Sequence, residues 1–367
     1  MNSASATALS PDVQPGWLDW LRRELAPAPG RAAVTVRIVV TVALVVIISM
    51  TLQIPEALLS AYMVFFVTKE NKVVTTLVGV MTILGVTVAI AASLLIYRVT
   101  FDFPALRVPV MAAVLFAGFF FLRVSPIGPL AFGIGFVFAA TQSIAELMPN
   151  AEYLVHSLLW LWVAIAYPIA LSMLVTRILA PNASARPPRP HKSLLAPDAF
   201  TNPSHVHFAL KVTLAAMTCY IVYTGLDWAG IHTAFITCCF ISLESTRATL
   251  HKGALRLAGC LVGGLLGFLS IMYVVPHMES IVSLVFLIGA ISVLAGWVAA
   301  GSERIAYAGL QIALAFFMCI LQGFEPDTDF DKIRDRLVGI VLGIAITTLV
   351  FHYLWPENDP DHAPRKA

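Results

Sequence analysis

The chain has 367 residues, of which 59% are hydrophobic and 12% are charged, and its net charge is +2. A soluble domain usually carries about 25% charged residues, so this composition excludes a soluble globular fold, and the small net charge argues against nucleic acid as a partner. The apolar runs are long and continuous, without the alternation of an outer-membrane barrel. They predict an all-α polytopic membrane protein.

The leader, residues 1–36, has no cleavage site made of small residues and does not resemble a secretory signal peptide. Its segment WLDWLRREL puts Trp17, Leu18, Leu21 and Leu25 on one helical face and the charged side chains on the other. This pattern predicts a short helix lying in the membrane interface. An ordinary solvated leader is the alternative.

Twelve apolar runs, separated by charged residues or proline, predict membrane-spanning helices. They cover residues 37–53, 54–68, 73–97, 105–122, 126–145, 153–180, 206–226, 230–243, 253–275, 280–300, 305–323 and 335–355. Of the 23 lysines and arginines, 18 are assigned to the ends and to the even-numbered side, among them Arg256, and five to the other side, among them Arg107 and Arg336. This bias predicts that both termini are cytoplasmic.

The second group of six runs repeats the first. An offset of 174 residues maps Glu70 onto Glu244 and Gly85 onto Gly259, and an offset of 178 maps Gly118 onto Gly296. Because six is even, both halves enter the bilayer in the same direction, which predicts two parallel six-helix repeats. The predicted repeats are residues 37–181 and 205–357, with a proline-rich cytoplasmic linker at 182–204 and a cytoplasmic tail at 358–367.

The second and eighth runs are unusually short. IPEALLSAYMVFFVT has 15 residues and GIHTAFITCCFISL has 14, and each leads into a charged segment, KENK or ESTR. Short spans at matching places of a duplicated transporter point to a translocation site, because polar backbone is tolerated at depth only around a cavity. The alternative is that both spans thin the bilayer and their charges lie in water.

These spans and their neighbours supply the candidate site residues. The candidates for the substrate pathway are Lys69, Lys72, Arg123, Arg247, Arg304, Tyr62, Phe66, Phe240 and Gln311, and those for proton coupling are Glu70, Glu244 and His232. The cations would attract an organic anion, the rings would stack on it, and paired carboxylates or a histidine would carry protons. Surface ion pairs, topology anchors, a structural histidine and lipid-facing rings are the alternatives.

Small residues recur every four positions in two further runs. They are Gly85, Ala89 and Ser93 in the third run, and Gly259, Gly263 and Gly267 in the ninth. This spacing predicts close helix packing and a candidate contact between the halves. The five cysteines fall in apolar runs and are interpreted as core residues, and no motif indicates an enzyme, a metal or a cofactor.

Several segments together resemble the fusaric acid resistance family, which is related to bacterial aromatic acid exporters. They are RELAPAPGRAAVTVR, IPEALLSAYMVFFVTKENKVVTT, SPIGPLAFGIGF, ISLESTRATLHKGALRLAGCLVGGLLG and DRLVGIVLGI. The resemblance implies an inner-membrane efflux component of a Gram-negative bacterium that exports aromatic carboxylic acids. It also implies a periplasmic membrane-fusion adaptor and an outer-membrane channel as partners. Larger relatives carry a cytoplasmic domain after the sixth span, where this chain has the linker.

Three hypotheses remain open. The first is a gradient-driven exporter of small organic anions, with its pathway between the halves near the two short spans. The second is a passive anion channel along the same route, because the distantly related plant aluminium-activated malate transporters are anion channels. The third is a membrane scaffold that recruits periplasmic partners and transports nothing.

Overall fold

The computed structural model describes residues 17–101, 103–144, 150–179, 195–242, 246–321 and 330–354. Within these ranges the chain forms α-helices, with two short 3-10 helices and no strand. The helices are α1 (Trp17–Leu25), α2 (Arg31–Leu52), α3 (Ala57–Val67), α4 (Lys72–Thr100), α5 (Pro104–Val124), α6 (Gly128–Ser143), α7 (Ala151–Leu179), α8 (Pro203–Gly225), α9 (Thr233–Ile241), α10 (Thr246–Tyr273), α11 (Ile281–Ala299), α12 (Ala306–Ile320) and α13 (Phe330–Tyr353).

Each predicted span coincides with one helix from α2 to α13. Eight of these helices are long and apolar enough to cross a membrane, whereas α3, α6, α9 and α12 are shorter. At about 1.5 Å per residue, α3 with its 11 residues is only about 16 Å long. The prediction of an all-α polytopic membrane protein is confirmed.

The helix contacts follow the internal repeat. The main pairings within α2–α7 recur within α8–α13, for example α4 with α6 and α10 with α12, or α3 with α7 and α9 with α13. The halves meet where α2 packs on α11 and α5 packs on α8, which are equivalent pairs under the repeat. The two six-helix units therefore stand side by side.

The small-residue stripes pack inside each half. A Cβ added at Gly259 would lie 2.6 Å from the Ala308 carbonyl oxygen of α12, and Gly85 of α4 faces Leu130 of α6. The predicted close packing is confirmed, but a contact between the halves at these stripes is wrong. The stripes allow the third and fifth helices of one half to approach each other.

The predicted interfacial helix forms as α1, and its end is tied to the second half. Trp297 of α11 donates a hydrogen bond from Nε1 to the Leu25 carbonyl (2.9 Å), and Arg31 donates from Nε to the Trp297 carbonyl (2.7 Å). Gly30, at φ +81°, ends the turn between α1 and α2. As a result α2 begins at Arg31, before the predicted span.

Gly263→Ala tests the close packing of α10 on α12. The added Cβ would overlap the Ile312 carbonyl oxygen, so we expect a loss of about 1–3 kcal/mol and a lower Tm in detergent. Gly289→Ala in α11 is the matched control, since its Cβ would meet no atom within 4 Å and alanine favours a helix. Equal Tm values for the two variants would contradict the packing.

Candidate functional site

A buried polar cluster lies among α3, α9, α10, α12 and α13, and Arg256 is at its centre. Arg256 is ten residues, or about 15 Å, along α10, and its side chain is 2% exposed. Two of the sequence-predicted pathway residues, Tyr62 and Gln311, belong to this cluster. It is the place where the short helices α3 and α9 both approach a buried charge.

Arg256 is held by neutral side chains. Its Nε donates to the Thr237 hydroxyl of α9 (3.1 Å), and its Nη1 donates to the Tyr307 hydroxyl and to Gln311 Oε1 of α12 (3.0 Å each). Across the described residues no carboxylate contacts this guanidinium, and its Nη2 donates to no described residue. Arg256 therefore remains a positive charge with donor capacity left over.

Two of the three partners of Arg256, Gln311 and Tyr307, also have donors left over. Thr237 is already oriented, because its hydroxyl donates to the Thr233 carbonyl at 2.7 Å while it accepts from Arg256. Gln311 is 0% exposed and its Nε2 has no hydrogen-bond partner. The hydroxyl hydrogen of Tyr307 is free to donate, because its oxygen acts as the acceptor for Arg256. The arrangement suits a group that carries negative charge and accepts hydrogen bonds.

More positive charge lies around the cluster. Lys252, one turn before Arg256 on α10, has its Nζ 5.1 Å from the centre of the Tyr307 ring. Tyr62 of α3 interacts electrostatically with Arg256 and with Arg336 of α13. Lys252 and Arg336 thus each interact with a tyrosine that also interacts with Arg256.

Apart from Tyr62 of α3, the residues of the cluster lie in the second half. With the offsets of the internal repeat, Arg256 corresponds to Thr82 and Gln311 to Gly133. Thr237 corresponds to Met63 in the same way. The equivalent region of the first half therefore carries no buried cation at these positions, and the duplicated units have diverged in polarity.

The other predicted pathway residues lie away from this cluster. Lys69 is exposed after α3, with its Nζ 6.0 Å from the Phe66 ring, and Lys72 is half-buried at the start of α4. Phe240 packs against Phe136, with ring centres 4.8 Å apart. The remaining two cations lie at helix ends: Arg123 stacks on the Phe208 ring at 5.0 Å, and Arg304 is exposed before α12.

Of the predicted proton-coupling residues, two can be located. Glu70 is exposed, its side chain lies against Gly30, and it interacts electrostatically with Arg37 of α2. His232 is half-buried before α9, and its Nδ1 lies 2.9 Å from the Ala229 carbonyl oxygen. Glu244 and the side chain of Arg247 lie outside the described residues. The coupling role stays a prediction.

Sequence reasoning missed Arg256 because it was counted with the cytoplasmic charges that set the topology. The structure places it inside α10, surrounded by protein. A usable signal was present, since Arg256 lies within the predicted ninth span and a charge inside an apolar run is expensive unless it has a role. Arg107 and Arg336, counted as outer charges, are buried in helices as well.

Comparison with known proteins adds an independent observation. Residues 215–350 match the family model described as fusaric acid resistance protein-like, which includes Arg256 and all its hydrogen-bond partners. The resemblance predicted from sequence motifs is therefore confirmed over this segment. No solved structure matches the chain.

Three named relatives are similar over part of the chain. The multidrug resistance protein MdtO of Escherichia coli (strain K12) is 36% identical over 187 residues, which are 51% of this chain and 27% of that protein. MdtO of Shigella flexneri gives the same values. The inner membrane protein YccS of Escherichia coli (strain K12) is 25% identical over 169 residues, or 44% of this chain and 22% of that protein. The chain thus aligns with about a quarter of the length of these relatives.

Thr237→Val tests the hydrogen bonding of Arg256. The nearly isosteric side chain leaves the Arg256 Nε without an acceptor, so we expect a loss of about 1–3 kcal/mol, seen as a lower Tm in detergent. Thr82→Val is the matched control, because the Thr82 hydroxyl makes a similar bond to the Val78 carbonyl but contacts no arginine. Equal losses in both variants would mean that Thr237 does not hold the guanidinium.

Proposed function

We propose that this chain, whose residues 215–350 form a fusaric acid resistance protein-like segment, is an inner-membrane efflux transporter of small organic anions. The observation that carries the proposal is Arg256, a fully enclosed arginine whose hydrogen-bond partners are all neutral. The name of MdtO as a multidrug resistance protein and that of YccS as an inner membrane protein agree with it.

The cost of burying Arg256 supports a functional role. A charged side chain near the middle of a membrane helix costs roughly 2.5–3.5 kcal/mol on insertion-based scales. Neutral acceptors reduce this cost, but a carboxylate would offset it further, because charge-assisted hydrogen bonds are stronger than neutral ones. An organic anion bound at Arg256 would supply the missing negative charge and accept the free donors of Gln311 and Tyr307.

Aromatic carboxylic acids are the proposed substrate class. The carboxylate would bind at Arg256, and the ring of Tyr307, whose hydroxyl accepts from Arg256, and that of Tyr62 would stack on a planar substrate. In the predicted orientation α10 begins at the cytoplasmic face, so Lys252 and the exposed Arg304 lie on the side from which a cytoplasmic anion enters. Lys69, Lys72, Arg123 and Arg247 remain proposed collectors of anions at that face.

Energy coupling and partners complete the proposal. Without a nucleotide-binding motif in the sequence, uphill export draws on an ion gradient, and proton coupling through Glu70, Glu244 or His232 is the form we propose. A periplasmic membrane-fusion adaptor and an outer-membrane channel are the proposed partners, on the basis of the family resemblance.

A passive anion channel is the second candidate, and it uses the same observation. A buried cation flanked by neutral donors would attract and pass anions without any coupling. The two functions differ in their dependence on a proton gradient, so one assay separates them.

Arg256→Gln is the first test. In liposomes that contain the purified protein and an imposed pH gradient, we expect benzoate efflux to fall at least tenfold, because glutamine removes the charge but keeps a polar side chain. Arg256→Lys should restore part of the rate. The control is Arg177→Gln, which changes an exposed arginine at the end of α7. Wild-type efflux in a folded Arg256→Gln variant would reject the proposed site.

Glu244→Gln and Glu70→Gln test the coupling. If either carboxylate carries the proton, its variant should lose gradient-driven benzoate efflux, while counterflow of labelled benzoate without a gradient continues. An uncoupler should stop wild-type efflux in the same way. Efflux that persists with the uncoupler and follows the electrochemical gradient of benzoate alone would identify a channel. Unaltered driven efflux in both variants would remove the coupling role from them.

A further inference from the structure

Arg336 is a second buried arginine, and its hydrogen bonding is less complete than that of Arg256. Its side chain is 9% exposed, and its Nε and Nη2 have no hydrogen-bond partner. Its Nη1 contacts the sulfur of Met318, a weak acceptor. A buried donor without an acceptor is unfavourable, so the folded protein keeps this arginine at a cost to its own stability.

The two free nitrogens form one edge of the guanidinium. The Nε and Nη2 hydrogens point in the same direction, which is the fork that binds both oxygens of a carboxylate. At Arg256 the Nε is already used by Thr237, and Nη2 has no described acceptor. Arg336 therefore offers a complete carboxylate-binding edge where Arg256 offers part of one.

The titratable neighbours of Arg336 do not neutralise its positive charge. His232 and Tyr62 interact with it electrostatically, and neither is a carboxylate. The adjacent Asp335 is engaged elsewhere, because its Oδ1 accepts from Nε and Nη2 of Arg334 at 3.0 and 2.8 Å. Within the described part of the chain no carboxylate hydrogen-bonds to the Arg336 guanidinium.

Tyr62 of α3 interacts electrostatically with both Arg256 and Arg336. Arg336 is six residues after the first residue of α13, about 9 Å along the helix from the end that is predicted to face the periplasm. Arg256 is about 15 Å along α10 from the end that is predicted to face the cytoplasm. In the predicted orientation, Arg336 therefore lies nearer the periplasmic end of the bundle than Arg256 does.

We propose that Arg336 is a second binding site for the carboxylate of an organic anion, which it receives from Arg256 before release on the periplasmic side. This inference rests on the proposed transport of organic anions. Two cations in series hold the anion in turn, so that neither needs to bind it too tightly for release.

Arg336→Met tests the proposal with two measurements on the full chain. Methionine fills a similar space without donors, so a site kept for a ligand predicts that the Tm without benzoate is unchanged or raised. In liposomes the same variant should extrude benzoate at least tenfold more slowly than the wild type. Arg177→Met, at an exposed position, is the control for loss of an arginine as such.

Arg336→Lys separates the charge from the geometry. Lysine keeps the positive charge but lacks the paired N–H edge, so we expect efflux above that of Arg336→Met and at least threefold below the wild type. A folded Arg336→Met variant with efflux within twofold of the wild type would overturn the second site. An Arg336→Met variant with a lower Tm, whose folded fraction transports benzoate normally, would also overturn the second site and would assign Arg336 a structural role.

The outcomes distinguish this inference from the proposed function. If Arg256→Gln loses efflux while Arg336→Met keeps it, only the second site fails. If both variants transport benzoate at the wild-type rate, the proposed function itself fails.

Discussion

A guanidinium that is enclosed by helices in a membrane must find its acceptors within the protein, because lipid supplies none. Arg256 meets this constraint with side chains from two other helices, Thr237 of α9 and Tyr307 and Gln311 of α12. These bonds require α9 and α12 to lie close to Arg256 of α10. The burial of this charge therefore depends on the packing of the second half, and the bonds in turn stabilise that packing. The acceptors are neutral, which leaves the charge available to a ligand.

Packing at the glycine stripe makes this approach possible. Gly259 lies one turn above Arg256, and it allows α10 to contact α12 closely enough for the guanidinium to reach Gln311. On α13, Gly339 and Gly343 face α9 in a similar way, near Ile231 and Thr237. The glycines thus allow short distances between the helix backbones, and these short distances bring the polar side chains within hydrogen-bonding range. On these helices, the glycines serve packing, and the polar side chains form the candidate site.

The fold could be predicted further than the site. Apolar runs located α2–α13 because a membrane span needs a continuous stretch of apolar residues, and even the short α3 and α9 were recognised. The stripes predicted close packing but not their partner, because spacing within one helix does not identify the neighbouring helix. The position of Tyr62 and Gln311 in apolar runs predicts a role for both, whereas Arg256, near the start of its run, is assigned to the charges that set the topology. Only the fold distinguishes a buried cation from a surface one near a helix end.

The short helices α3 and α9 both contribute to the candidate site, although neither packs mainly against the opposite half. The main partners of α3 are α7, α2 and α12, and those of α9 are α13 and α8, so each is chiefly packed within its own half. They converge instead on one polar cluster, α3 through Tyr62 and α9 through Thr237. Because the first half has Thr82 where the second has Arg256, the two halves share a helix arrangement but only the second has an arginine at this position. The hydrogen-bonded cluster around Arg256 thus has no counterpart at the equivalent positions of the first half.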